Sequence, residues 1–154
     1  MFEELRLMSK KVTNPKAQWV DRPKNRIGHQ QRNFQAVAVD IVEINFGVYM
    51  RRNLVIEEDF SCGIEYRPFA GSPLMLARYN GPGHWHRDAD KVIAHRPHIH
   101  KASEMAISLG KKPDWFADET DRFETLEGAL ACLIEDYSLT GIANSMNDNL
   151  RLDL

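Results

Sequence analysis

Cysteine is scarce in this chain: two residues, Cys62 and Cys132, in 154. They stand far apart in apolar contexts, so no disulfide framework is expected and both read as reduced thiols of a cytoplasmic protein. No long apolar run occurs, so no transmembrane helix and no membrane partner are expected. The stretch M1-F-E-E-L-R-L-M-S-K-K11 brings acids early and lacks a clean apolar core, which makes a poor secretory leader. There is no internal repeat. Basic residues never run long enough to stand as a nucleic-acid-binding tail by themselves.

What is present is the ordinary material of one globular domain. The length suits a single core without staples. The net charge of −2 conceals a gradient. Residues 1–32 hold eight Lys/Arg against three Asp/Glu, residues 33–113 ten against nine, and residues 114–154 two against ten. Two solvated faces of opposite sign account for this. A basic arm that meets nucleic acid or an acidic partner is the functional alternative.

Residues Phe2 to Lys10 suit a short helix with Phe2, Leu5 and Met8 on one side. Residues 11–33, punctuated by Pro15, Pro23 and Gly28, read as an irregular arm with Trp19 as its anchor. From Val42 the period is two. Val42, Ile44, Phe46, Val48 and Met50 alternate with Glu43, Asn45, Gly47 and Tyr49, the pattern of a half-buried strand. Val37, Val39 and Ile41 are apolar in the opposite phase, and a β-bulge at 41–42 would absorb the slip. Cys62, Ile64 and Tyr66 alternate again. Leu74 to Tyr79 is a nearly continuous apolar strand, and Asn80-Gly81-Pro82-Gly83 is a turn before a loop. A strand resumes at His98, and Lys111 to Asp118 reads as loop. Asp121 as N-cap, with Glu124 three residues on, opens a helix. Its Leu126, Ala129, Leu130, Leu133, Ile134 and Tyr137 share one face, and Gly141 stops it. The expected fold is α+β: an antiparallel β-sheet of four to five strands with a C-terminal helix packed on one face. The N-terminal short helix and irregular basic arm take 1–33, the domain 34–142 and a polar tail 143–154.

Five of the six histidines fall in H84-W-H-R-D-A-D-K-V-I-A-H-R-P-H-I-H100. Packing explains such a cluster poorly. Histidine titrates near neutral pH and is the commonest metal ligand, so the segment marks the expected site. Two patterns overlap there. In His95-Arg96-Pro97-His98-Ile99-His100, a strand from His98 puts His98 and His100 on one face and turns Ile99 to the core. A hairpin would bring Arg78 and Tyr79, the end of the preceding strand, beside them. Arg78 would hold a phosphate, and His98 and His100 would share the proton work with His84 assisting. Tyr79, Arg96 and Trp85 would contact substrate. RNA cleavage without a cofactor needs little more, because the 2′-hydroxyl is the nucleophile and a cation stabilises the developing charge.

The second pattern is His84-x-His86-x-Asp88-x-Asp90, which puts alternating zinc or manganese ligands on one side of an extended segment. In that reading His84, His86, Asp88, His95, His98 and His100 are the ligand pool of a metal-binding protein or metal-dependent hydrolase. Plainer roles stand beside these. His29 reads as polar surface, and Arg51 and Arg52 as edge charges. Trp85 pins its loop or stacks a base. Asp88 and Asp90 form a turn or support a histidine. Trp115 and Phe116 are core or lid packing. A non-enzymatic interaction module, with histidines that only order a loop, is the third class of function.

The stretch A77-R78-Y79-N80-G81-P82-G83-H84, followed by R96-P97-H98-I99-H100, resembles the signature of the TumE-like toxins of bacterial toxin–antitoxin modules and of a related bacterial group. That signature is a strand ending in Arg, a turn with Pro and His, a short loop and Pro-His-x-His. The resemblance spans residues 37–140 and is densest at the hairpin. It falls on Arg78, Asn80, Gly81, Pro82, His84, Pro97, His98 and His100. Asn80 stands where the family more often has Asp, and Gly83 separates Pro82 from His84. The resemblance implies a toxin with an antitoxin protein as partner. The histidine chemistry adds RNA as the expected target.

Overall fold

A computed structural model of the chain describes residues 1–22, 28–83, 86–87, 92–93 and 95–142, with the backbone alone at 86, 87 and 93. The alternating segments become the long strands of one sheet: β3 (His29–Ala38), β4 (Asn45–Asn53), β5 (Phe60–Arg67) and β6 (Leu74–Asn80), following helix α1 (Phe2–Leu7) and the short strands β1 (Lys10–Val12) and β2 (Val20–Asp21). The histidine segment contains a two-stranded hairpin, β7 (His86–Arg87) with β8 (Val92–Ile93). Strand β9 (His98–Lys101), helix α2 (Glu104–Ser108), β10 (Ala117–Glu119), helix α3 (Leu126–Asp136) and β11 (Leu139–Thr140) complete the order. The main sheet runs β10-β9-β6-β5-β4-β3-β1-β11, with β2 added to β3. All its described pairs are antiparallel except β1–β11, which is parallel.

The α+β architecture is as expected, with α3 packed on the sheet. The nine strands exceed the expected four to five because short strands extend both edges. The supposed irregular arm supplies β1, β2 and the start of β3, so a boundary at 33/34 falls inside a strand. His29, Gln30, Gln31 and Arg32 pair with β4 through the backbone, and their polar side chains carry no alternation signal. Trp19 does anchor this region: the Arg52 guanidinium lies 3.9 Å over its ring. The phase slip at 41–42 is a turn rather than a bulge. Ala38 N–H donates to the Ile44 carbonyl, and Val37 pairs with Asn45. The bulge lies instead on β5, at Ile64/Glu65. Helix α3 starts later than expected, capped by Thr125, whose Oγ1 accepts from Gly128 N at 3.0 Å.

One sheet face and α3 enclose the core. Phe34, Val48, Ile64 and Ala77 form one cross-strand row, and Met50, Cys62, Tyr79 and Ile99 the next, all buried. Ala129, Leu130 and Leu133 of α3 are buried with them in one cluster. Each large side chain so removed from water stabilises the fold by roughly 1.5–3 kcal/mol. Below α3, the Tyr79 hydroxyl donates to Asp136, which Arg122 grips with two bonds of 2.8 and 2.9 Å. Burial, then Asp136, pushes the Tyr79 hydroxyl far above its ordinary range. For Asp136 burial acts upward, but the bonds from Arg122 and Tyr79 outweigh it and hold the carboxyl below its ordinary value.

Lys10 is wholly buried. Its Nζ donates to the carbonyls of Arg6, Met8 and Tyr137 at 3.1, 2.7 and 2.7 Å, and so ties α1 to the end of α3. The Phe46 ring lies 4.9 Å away. Burial, aided by the charge of Arg6, pushes Lys10 down to about 8.

Candidate functional site

The face opposite α3 carries a different chemistry. Strand registers place Gln31, Arg51, Ser61, Asn80 and His98 in one cross-strand row, and Asn33, Tyr49, Gly63, Arg78 and His100 in the next. The β6–β9 pairing thus sets Arg78 opposite His100 and Asn80 opposite His98. Such partners on one face have Cβ atoms about 4.5–5.5 Å apart.

The two histidines differ in their surroundings. His98 is fully buried, and its ring meets that of His100 edge-on at 5.3 Å. Its Nδ1 lies 3.0 Å from the Arg96 carbonyl, which can only accept, so Nδ1 carries the hydrogen. Nε2 then accepts from the Asn80 amide at 3.3 Å. Both ring nitrogens of His98 are used to hold the loop end against β6.

His100 is only partly buried. Its Nδ1–H donates to the Asp114 carbonyl at 3.0 Å, which leaves the lone pair on Nε2. The carboxylate of the same Asp114, 3% exposed, lies 2.8 Å from Arg78 Nε. That contact is an ion pair without a formed hydrogen bond, because the Nε–H points off the carboxylate oxygen and stays without an acceptor. Asp114 therefore holds both candidate side chains, one through its carbonyl and one through its charge. The sequence reading placed it in an ordinary loop. A lone acid between Pro113 and the Trp115-Phe116 pair was the available hint, since a buried carboxylate needs a cation.

Beside Arg78 lies a groove of about 390 Å³, lined also by Gln31, Asn33, Tyr49, Arg51 and Arg67. The Arg51 guanidinium lies 4.7 Å over the Tyr49 ring, and its Nε donates to Gln31 at 3.0 Å. Arg67 Nε donates to Glu65 at 2.9 Å. Arg67 and Arg78 thus each face a carboxylate, and all three arginines bring directed N–H donors to the groove. Burial raises the Tyr49 hydroxyl above its ordinary range, against the lowering pull of Arg78 and Arg51. Two strand glycines make room. A Cβ at Gly63 would meet the Tyr49 ring at 2.6 Å, and one at Gly47 would collide with the Arg67 guanidinium. Glycines inside strand patterns mark such close approach, a signal available in the sequence for this face. Arg51, read from sequence as an edge charge, lines the groove.

The remaining expected residues separate. Tyr79 is not brought to the histidines: it is on the core face, bonded to Asp136 beneath α3. Arg96 is exposed and meets His98 through its backbone carbonyl. His95 is exposed and adopts φ 57°, a conformation few non-glycine residues enter. His84, Trp85, Asp88 and Asp90 lie outside the described residues, as does the side chain of His86 and the tail from 143. Among the described residues no three His, Cys, Asp or Glu side chains gather as a metal-binding group. No described helix is long and apolar enough to cross a membrane. No family model, no curated protein and no solved structure matches this chain.

Proposed function

We propose that the chain binds single-stranded RNA on the face of its sheet opposite α3 and cleaves it with His100 as the proton acceptor. The observation that carries this reading is the double hold of Asp114 on His100 and Arg78 beside the arginine-lined groove. A histidine fixed as the Nδ1–H tautomer presents a basic Nε2, the form a general base requires. Nε2 takes the 2′-hydroxyl proton, the 2′-oxygen attacks phosphorus, and the 5′-oxygen leaves with a proton from a second acid. His84, from the same segment, is the candidate for that acid. The guanidinium of Arg78 stabilises the charge gathering on the phosphoryl oxygens. Arg51 and Arg67 hold flanking phosphates, and Tyr49 gives the groove its apolar floor. Such an activity fits a growth-arresting toxin restrained by an antitoxin protein, the reading that the resemblance of the hairpin supports.

The test is incubation of the purified chain with a labelled single-stranded RNA and with its 2′-deoxy counterpart. Cleavage of the RNA alone, leaving a 2′,3′-cyclic phosphate and lost in His100→Ala and Arg78→Ala, is expected. Intact RNA with folded protein, or cleavage that survives His100→Ala, overturns the scheme. Cleavage abolished by a chelator and restored by zinc or manganese would favour the metal-dependent hydrolase.

A further inference from the structure

The turn between β4 and β5 shows Leu54, Val55 and Ile56 to solvent, at 59%, 84% and 55% exposure. This turn is firmly held. Asn53 Oδ1 accepts from the backbone N–H groups of Val55 and Ile56 at 2.9 and 3.0 Å, and Asn53 Nδ2 donates to Asp59 at 3.0 Å. Leu54 N–H donates to the Gly28 carbonyl at 2.7 Å. The backbone therefore keeps three apolar side chains off the core.

Between this turn and the start of α3 lies a groove of about 570 Å³, with Leu54, Val55, Phe60 and Leu126 as its apolar lining. Glu57, Glu58, Glu124 and Glu127 also border it. The α3 dipole favours acids at 124 and 127. It gives no reason for Glu57 and Glu58 on the facing turn. Among the described residues none of the four carboxylates makes an ion pair. Arg52, the cation at this groove, is spent on the Trp19 ring and on Gln30.

We infer that this groove docks a basic amphipathic segment of a partner protein. One or two large apolar side chains of that segment enter between Val55 and Leu126, and its Lys or Arg residues meet the four glutamates. The volume lies in the usual range of ligand pockets, roughly 300–1,000 Å³. Four like charges repel nucleic acid and anionic lipid, so the groove selects a partner of the opposite kind to the arginine-lined face. An apolar anchor ringed by charge is the arrangement by which helices are taken into grooves.

The probe is a short synthetic peptide with leucines at helical spacing and lysines between, titrated into the full chain at low salt and followed by fluorescence anisotropy and backbone amide shifts. A peptide of the same composition in scrambled order is the control. Saturable binding is expected, with shifts at residues 54–58 and 124–127. Val55→Ser and the pair Glu57→Gln/Glu58→Gln should each weaken binding about tenfold. Absence of saturation, equal binding of the scrambled peptide, or indifference to both variants overturns the inference. Self-association of the chain that Val55→Ser abolishes would give the groove to a second copy and overturn it equally.

Discussion

His98 and His100 stand two residues apart on one strand, yet their substitution has different consequences. Removing the His98 ring leaves the Asn80 amide and the Arg96 carbonyl without its bonds and opens a hole beside the His100 ring. Unsatisfied buried groups cost roughly 1–3 kcal/mol each, with a cavity added. His98→Ala is therefore expected to lose about 3 kcal/mol in urea unfolding. His100 is partly exposed and, among the described residues, its loss unpairs the Asp114 carbonyl, so His100→Ala should cost less, about 1–2 kcal/mol. If the proposed chemistry holds, the less destabilising change is the one that ends RNA cleavage. A His98→Ala protein as stable as the wild type would show that the buried hydrogen bonds of His98 contribute nothing. The sequence could group these histidines but not separate them. Their difference lies in Asp114, Arg96 and Asn80, contacts made only once β9 pairs with β6.

At the scale of elements, α3 is fixed to the sheet by the Tyr79–Asp136–Arg122 chain as well as by its apolar stripe. Tyr79→Phe removes one bond and leaves Asp136 with Arg122, a loss of about 1 kcal/mol. Asp136→Ala strands the Tyr79 hydroxyl and returns the exposed Arg122 guanidinium to water, and about 1–2 kcal/mol is expected. A double-mutant cycle should give a coupling of about 0.5–3 kcal/mol, and additive losses would show that the two contacts act independently. Thr125→Ala removes the helix cap and should cost about 1 kcal/mol. The elements differ in how far they could be read in advance. Strands β4 and β5 and helix α3 announce themselves because one face of each is apolar and the other is not, and β6 does so as a nearly continuous apolar run. Strand β3 does not over His29–Arg32, where both faces are polar and the backbone alone makes the pairing. The turn at 39–44 hid behind apolar residues, Val39, Ile41 and Val42, that are exposed. Strands β1 and β11 are too short for any period, and their pairing joins the two ends of the described chain.

At the scale of the whole molecule, that joining has a pH signature, carried by Lys10. The charge gradient of the sequence runs from basic to acidic, but Lys10 is, among the described residues, the basic one that the fold buries completely. Its ordinary value is 10.5, and in the folded chain it falls to about 8. Between these limits the unfolded chain holds a proton on Lys10 that the native chain has released. Stability from this group must then rise with pH across 8 to 10.5 and stay flat on either side. The gain reaches at most about 3 kcal/mol, since one pKa unit is 1.36 kcal/mol. Other groups oppose it. Burial pushes the Cys62 thiol up from 9.0, so the unfolded chain loses that proton first and stability falls above pH 9. Burial, then Asp136, raises Tyr137 to about 12, and Tyr79 and Tyr49 are raised as well, which adds a decline above pH 10. The wild type alone should therefore gain from pH 8 to 9, level off and then weaken. Comparison with Lys10→Met isolates the lysine, because the thiol and tyrosine contributions are common to both. Urea unfolding at intervals from pH 7 to 11 should show the wild type gaining on the variant by up to about 3 kcal/mol between pH 8 and 10.5, on top of a fixed penalty for the three orphaned carbonyls. A difference that stays constant with pH would mean that the three carbonyls hold the ammonium as firmly as water does, and that burial costs Lys10 nothing.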